Sequence, residues 1–187
     1  MKFDEESAAE WHAERRRVRI ENFRSRRPVR LRDVGELSDE VADWGSRLFD
    51  NTAGNLVVVG GVGTAKTWNV WEVLERAVKV GYSGTILFAT PAEWQEVVGP
   101  PADRDRLRQM RAADVLVLDD LGSTRINEWQ REILLGVIDE RWQHARPVVI
   151  TSNLAEFDDA LGGRLTSRLA DGATIAVVDG EDLRAGR

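Results

Sequence analysis

Five short apolar runs, at 56–59, 85–89, 115–118, 148–151 and 174–178, are separated by stretches of helical periodicity. Each run is unbroken and rich in β-branched residues, the pattern of strands covered on both faces. Parallel strands cannot be joined by hairpins, and the crossover that each one needs is usually a helix. The chain therefore reads as an α/β fold, a five-stranded parallel sheet flanked by helices. Its 187 residues suit one domain. Helices are expected over 37–49, where Leu37, Val41, Trp44 and Leu48 recur at helical steps with Ser38 as cap, and over 67–80, 91–98, 103–112 and 127–144. In the last of these, Trp129, Ile133, Val137, Ile138 and Trp142 form the face assigned to the core.

Directly after the first run stands Gly60-Gly61-Val62-Gly63-Thr64-Ala65-Lys66-Thr67, and Trp68 continues into the helical stretch. Strand, glycine-rich turn and helix is the setting in which backbone N–H groups converge on phosphate oxygens, with the helix dipole adding to the anion site. In this P-loop reading residues 60–68 bind the nucleotide, Lys66 brings its charge to the β- and γ-phosphates, and Thr67 offers its hydroxyl to Mg²⁺. Lysine occurs only at Lys2, Lys66 and Lys79 against 23 arginines, so its presence at the phosphate position carries weight. Ala65 stands where the pattern has a glycine. If the loop needs a left-handed residue there, the Cβ costs roughly 1–2 kcal/mol.

Hydrolysis also needs oxygen ligands for Mg²⁺ and a group that orients the attacking water. The third run ends in Asp119-Asp120-Leu121-Gly122; Asp119 is assigned to Mg²⁺ and Asp120 to the water. The fourth ends in Thr151-Ser152-Asn153, and Asn153 reaches the γ-phosphate or the water if the fourth strand lies beside the third. Taken singly, the acid pair reads equally as a helix-capping turn and Asn153 as a turn residue. Together they bring three strand ends to the carboxyl edge of the sheet, where ligands bind in such folds.

With these residues in place the chain resembles the DnaC-type helicase-loader and IstB-type transposition-helper branch of the AAA+ ATPases. The resemblance covers about residues 54 to 184. It rests on the P-loop, on Asp119-Asp120-Leu121-Gly122, and on Ile138-Asp139-Glu140-Arg141-Trp142 ahead of Thr151-Ser152-Asn153-Leu154. It continues through Arg164-Leu165-Thr166-Ser167-Arg168-Leu169 to Gly180-Glu181-Asp182-Leu183-Arg184. What it implies is a P-loop NTPase with an AAA+ core over 33–187 and no helical lid, which binds ATP with Mg²⁺, hydrolyses it and self-associates on ATP or DNA. It implies further that Arg168 is an arginine finger for a neighbouring subunit's nucleotide, with Arg164 as the competing candidate, and that Arg184 approaches the nucleotide. The implied partners are a replicative helicase and single-stranded DNA. A transposition helper and a non-catalytic, nucleotide-gated adaptor stand as alternatives.

The net charge of −6 argues against general affinity for nucleic acid, but the average conceals an asymmetry. Between residues 15 and 32 nine arginines face the single acid Glu21, a local charge of +8, so the rest of the chain sums to −14. Pro28 interrupts any helix there, and residues 1–32 read as a basic arm or short helix ahead of the core. Such an arm suits phosphates, an acidic partner or simple solubility, and Trp11 and Phe23 suit bases or a protein groove. Cysteine is absent, which excludes disulfides and thiolate chemistry, and with only His12 and His144 a histidine metal site is not expected. No apolar run approaches the roughly 18 residues of a membrane span, so the expectation is a cytoplasmic protein without a membrane partner.

Overall fold

The protein is described from a computed structural model over residues 5–32, 35–121, 126–153 and 161–179. The five apolar runs form β1 (Leu56–Val59), β2 (Ile86–Ala89), β3 (Val115–Leu118), β4 (Val148–Ser152) and β5 (Thr174–Val177). All pairings are parallel and the order is β2-β3-β4-β1-β5. Every strand therefore delivers its carboxyl end to the same rim, and the central places go to β3, β4 and β1.

Side-chain alternation along the strands divides the core in two. Val115, Val117 and Val149 join Leu56 and Val58 on one face, covered by α1 (Glu5–Arg26), α2 (Asp39–Phe49) and α3 (Lys66–Val80). Leu116, Leu118, Val148 and Ile150 face the other way, against α4 (Pro91–Val98), α5 (Arg104–Ala112), α6 (Glu128–Gln143) and α7 (Gly163–Ala170). Local chemistry starts several of these helices. Thr90 with Glu93 and Asn127 with Gln130 form reciprocal capping boxes, and Asp103 accepts from the N–H groups of Asp105 and Arg106. Ser38 does occupy the N-cap of α2, but its hydroxyl is bonded to the Glu40 carboxylate and caps no backbone N–H.

The first helix is longer than composition suggests: 22 residues that stop just before Pro28. Its last turns are anchored to α3. Phe23 is buried beside Trp71, ring centroids 5.2 Å apart, and Trp71 stacks on Phe88 at 3.9 Å. Around these rings Arg24 Nε donates to Glu75 Oε1 at 2.7 Å, and Arg27 Nη1 donates to Glu75 Oε2 at 2.8 Å and Glu72 Oε2 at 2.9 Å. Phe23 is thus a packing residue and is not available to a partner.

The core face of α6 differs from the expected one. Leu134, Val137, Ile138 and Arg141 point inward, whereas Trp129 and Trp142 are exposed. Arg141 is fully buried and has carbonyl partners: Met110 and Ala113 at 2.7 Å, Pro147 at 2.8 Å, Asp114 at 3.3 Å and Arg111 at 3.4 Å. Burial lowers its pKa to about 10, which leaves the guanidinium charged at neutral pH. It ties the end of α5 to the amino ends of β3 and β4. Among the described residues no helix follows β5, and none is long and apolar enough to cross a membrane.

The α1 anchor is sensitive to acid. Burial raises the Glu75 carboxyl, but hydrogen bonds from Lys79, Arg24 and Arg27 outweigh it and hold the pKa at about 2. A depressed carboxylate contributes stability above its unfolded value of 4.5 that disappears as pH falls toward 2. We expect urea unfolding to show up to about 3 kcal/mol less stability on acidification across that window. In Glu75→Gln this component of the acid dependence is absent; an unchanged pH profile in that variant overturns the assignment.

Candidate functional site

The loop between β1 and α3 closes tightly. A Cβ on Gly60 would lie 2.2 Å from the Val178 carbonyl oxygen and 2.7 Å from Thr64 Oγ1, so only glycine fits. Thr64 is buried and donates to the Gly61 carbonyl at 3.0 Å, while Val62 at the tip is exposed. Gly63 has φ 79°, and Ala65 has φ 63° and ψ 18°. The left-handed residue anticipated at position 65 is therefore present, with its Cβ cost of roughly 1–2 kcal/mol.

Ala65 is also the N-cap of α3, and no side chain caps that end. Asn69 N–H is the first to find its helical acceptor, Ala65 O, at 2.9 Å. The N–H groups of Lys66, Thr67 and Trp68 stand ahead of that point, in the first turn where an α-helix supplies no acceptor and its dipole favours an anion. The Trp68 side chain itself is buried, with the Arg27 guanidinium 5.9 Å from its ring, and its indole N–H has no acceptor among the described residues. Its contribution to an anion site is thus its backbone.

Lys66 Nζ donates to Gly61 O at 2.5 Å, Gly60 O at 3.0 Å and Asn153 Oδ1 at 3.3 Å. The last contact joins the P-loop to the end of β4. A second junction lies beside it: Asp119 Oδ1 accepts from Thr67 Oγ1 at 2.8 Å and from Thr151 Oγ1 at 2.6 Å. Thr151 Oγ1 in turn accepts the Asp120 N–H at 2.7 Å. Asp120 follows in the left-handed region, φ 51°, and Leu121 N–H returns to Thr151 O at 2.9 Å. Residues 60–67, Asp119, Asp120 and Asn153 thus share one rim of the sheet. A glycine-rich loop, a hydroxyl paired with a carboxylate and a second carboxylate fit Mg²⁺ with a nucleotide: Thr67 and Asp119 could offer hard oxygen donors, and Lys66 a cation for phosphate.

Sequence pattern alone assigns Thr151 no role, although it opens the segment Thr151-Ser152-Asn153-Leu154. Its signal is only that a small hydroxyl residue interrupts the apolar end of β4.

Arg168 and Arg164 lie on α7 and share one carboxylate. Arg168 Nε donates to Asp139 Oδ1 and Arg164 Nη2 to Asp139 Oδ2, both at 3.0 Å. The Arg168 guanidinium also lies 3.9 Å over the Trp142 ring, and its side chain is 35% exposed against 71% for Arg164. Among the described residues neither bonds to the P-loop, Asp119, Asp120 or Asn153. Arg184 lies outside the described residues.

Fold and site together define a P-loop nucleotide-binding protein of the AAA+ type. The chain belongs to the IstB-like ATP binding protein family, whose sequence pattern matches residues 22–185. It is 26% identical over 169 residues to the phage-like element PBSX protein XkdC of Bacillus subtilis (strain 168), covering 83% of this chain and 63% of that protein. It is 33% identical over 125 residues to an insertion sequence IS1162 protein of Pseudomonas fluorescens, covering 65% of this chain and 53% of that protein. The chain therefore spans about half to three-fifths of these curated relatives. Its fold is similar to the crystal structure of the DnaC helicase loader, with TM-score 0.64 and 23% identity over 79% of this chain and 95% of that chain.

Two substitutions probe the rim. Thr151→Val keeps the shape of a fully buried side chain but removes the donor to Asp119 and the acceptor for the Asp120 N–H. We expect a loss of about 1–3 kcal/mol in urea unfolding, largely restored by Thr151→Ser; wild-type stability in the valine variant rules out the junction. Ala65→Gly relieves the left-handed strain, and we expect a gain of about 1 kcal/mol by the same measurement, with a loss of stability as the contrary result.

Proposed function

We propose that this protein is an ATP-hydrolysing helper that controls the assembly of a replicative helicase on DNA. The observation that carries its chemistry is the joining of three strand ends at one rim, Lys66 to Asn153 at 3.3 Å and Thr67 to Asp119 at 2.8 Å. The N–H groups of residues 60–68 and the Lys66 ammonium take the β- and γ-phosphates, with Lys66 exchanging its loop carbonyls for phosphate oxygens. Thr67 and Asp119 would hold Mg²⁺, which would supply charge neutralisation for the transferring phosphoryl group. Asp120 accepts a hydrogen bond from the water whose oxygen attacks the γ-phosphorus, and Asn153 orients that water or the γ-phosphate. The bond to the bridging oxygen breaks, giving ADP and phosphate.

Arg168 acts as the finger for the nucleotide of a neighbouring copy, which makes self-association part of the cycle; Arg164 is the competing residue. Stabilising the transferring phosphoryl group in this way is worth about 10³–10⁵ in rate. A helicase partner is supported by the likeness of the fold to the DnaC loader. A transposition helper is the second reading, favoured by the family and by the insertion-sequence relative.

Lys66→Ala tests the chemistry. We expect binding of a fluorescent ATP analogue to weaken at least tenfold, by about 1.4 kcal/mol or more, and phosphate release to fall to background. Hydrolysis at the wild-type rate in that variant overturns the mechanism. Wild-type nucleotide binding without phosphate release, with or without DNA, selects the non-catalytic adaptor instead. Capture by an immobilised replicative helicase and not by a transposase selects the loader over the transposition helper.

A further inference from the structure

The nine arginines between 15 and 32 divide into spent and available groups. Arg24 and Arg27 are committed to Glu72 and Glu75, and Arg17 pairs with Glu14 at 2.8 Å. The other six form no ion pair among the described residues; Arg30 and Arg32 lie beyond α1 and Arg16 about 60° to one side, which leaves Arg15, Arg19 and Arg26. At about 100° per residue these three fall within about 40° of one another on α1, so they line one stripe. Trp11, one turn before Arg15, extends it to a length of about 22 Å at 1.5 Å per residue. Glu10, Glu14 and Glu21 cluster roughly on the opposite side of the helix by the same geometry. The stripe itself is clear of glutamate, while Arg17 and Arg24 lie on the glutamate side of the helix.

The stripe is also placed. Arg19 Nη1 donates to the Tyr82 carbonyl at 3.4 Å, Arg26 Nη2 donates to the Ile86 carbonyl at 3.5 Å, and the Arg26 guanidinium lies 5.9 Å from the Phe88 ring. Ile86 and Phe88 belong to β2, the outer strand of the sheet. Arg106 of α5 reaches the Phe88 carbonyl of the same strand at 3.5 Å. Carbonyls orient these guanidinium groups without neutralising them, and each fork has further N–H donors. The outer border of the sheet is thereby a basic ridge with no carboxylate paired into it among the described residues. At its end Trp11 is 54% exposed, with the Arg15 guanidinium 4.5 Å from the ring centroid.

We propose that this ridge binds single-stranded nucleic acid, Arg15, Arg19, Arg26 and Arg106 contacting backbone phosphates and Trp11 stacking on an unpaired base. A row of guanidinium groups matches the regular spacing of a phosphate backbone, and an exposed indole in line with it suits stacking on an unpaired base. The proposal deepens the nucleic-acid part of the proposed function and is independent of ATP turnover.

The test is fluorescence anisotropy of a labelled oligothymidylate of about 20 nucleotides, with an oligouridylate and a duplex in parallel, in the absence of nucleotide. The wild-type protein binds either single strand with an affinity that falls as salt rises. In R15A/R19A/R26A three phosphate contacts are lost, the salt slope flattens by about 2, and affinity at low salt falls about 20-fold. Trp11→Ala weakens single-strand binding about tenfold. The triple Lys variant at positions 15, 19 and 26 retains most of the affinity, because charge is kept. Unchanged binding of the fluorescent ATP analogue by the triple Ala variant shows that its fold and nucleotide loop are intact.

Wild-type affinity and salt slope in the triple Ala variant overturn the proposal, as does the absence of oligonucleotide binding by the wild-type protein. Equal affinity for the duplex, or displacement of the oligonucleotide by polyglutamate at matched charge, overturns the single-strand assignment. A Lys66→Ala protein that loses the ATP analogue yet keeps the oligonucleotide supports the ridge as a separate surface. Nucleotide binding with no oligonucleotide binding leaves the ATP site standing and removes the ridge.

Discussion

One carboxylate oxygen holds the functional rim together. Asp119 Oδ1 receives the hydroxyls of Thr67 and Thr151, so a single atom joins the end of β3 to the start of α3 and to β4. None of these elements is adjacent in sequence. Their meeting depends on the parallel order, which sets β3 beside β4 and β4 beside β1 and sends all three carboxyl ends to one side. Thr151 then fixes the next residue by accepting the Asp120 N–H, which allows the chain to turn through a left-handed residue immediately after the strand. Both unusual backbone positions at the rim, Ala65 and Asp120, are thus residues that the surrounding bonds over-determine.

The opposite edge of the sheet is closed by different means. Arg141 spends its guanidinium on main-chain carbonyls from α5, the start of β3 and the approach to β4, with no carboxylate among the described hydrogen-bond partners. A buried cation of this kind is tolerable because several carbonyl dipoles replace its hydration, and its removal would strand those acceptors. Arginine serves elsewhere in the fold for related reasons. Arg24 and Arg27 anchor α1 through paired carboxylates, while Arg26 and Arg106 lie against the open carbonyls of β2. An exposed strand edge bordered by charge is protected from pairing with another chain.

Much of the architecture was legible in the sequence, because burial on both faces forces uninterrupted apolar strands. The strand starts at Leu56, Val115, Val148 and Thr174 lie where the runs begin, and the strand boundaries that moved did so by one residue, while α2 starts two residues later than its apolar spacing suggests. The P-loop and the acid pair were legible for a similar reason: their chemistry constrains consecutive residues. The face of α6 was not. Counting apolar side chains favours Trp129 and Trp142, but tryptophan is amphipathic, and here the indole N–H groups bond Val98 O at 3.2 Å and Asp171 Oδ2 at 2.6 Å near the surface. The true core stripe includes a charged residue, Arg141, whose burial depends on carbonyls supplied by distant segments. The role of Thr151 was hidden for the same reason, since a hydroxyl in a strand acquires meaning only from what lies across the sheet.

The two arginine candidates on α7 are coupled by geometry. Asp139 gives one oxygen to each, so on the proposal that an arginine serves a neighbouring copy, withdrawal of one leaves a carboxylate free to hold the other more fully. Arg168 also rests on Trp142, and a guanidinium stacked on an indole retains its charge and its outward N–H donors while losing rotational freedom. Arg164 has the greater exposure but no such platform. A residue that must meet a phosphate on another molecule gains more from being held in direction than from being free, since entropy not lost at the encounter adds to binding. On that proposal Arg168 is the better-placed finger, and Arg164 is the counter-charge that keeps Asp139 from closing over it.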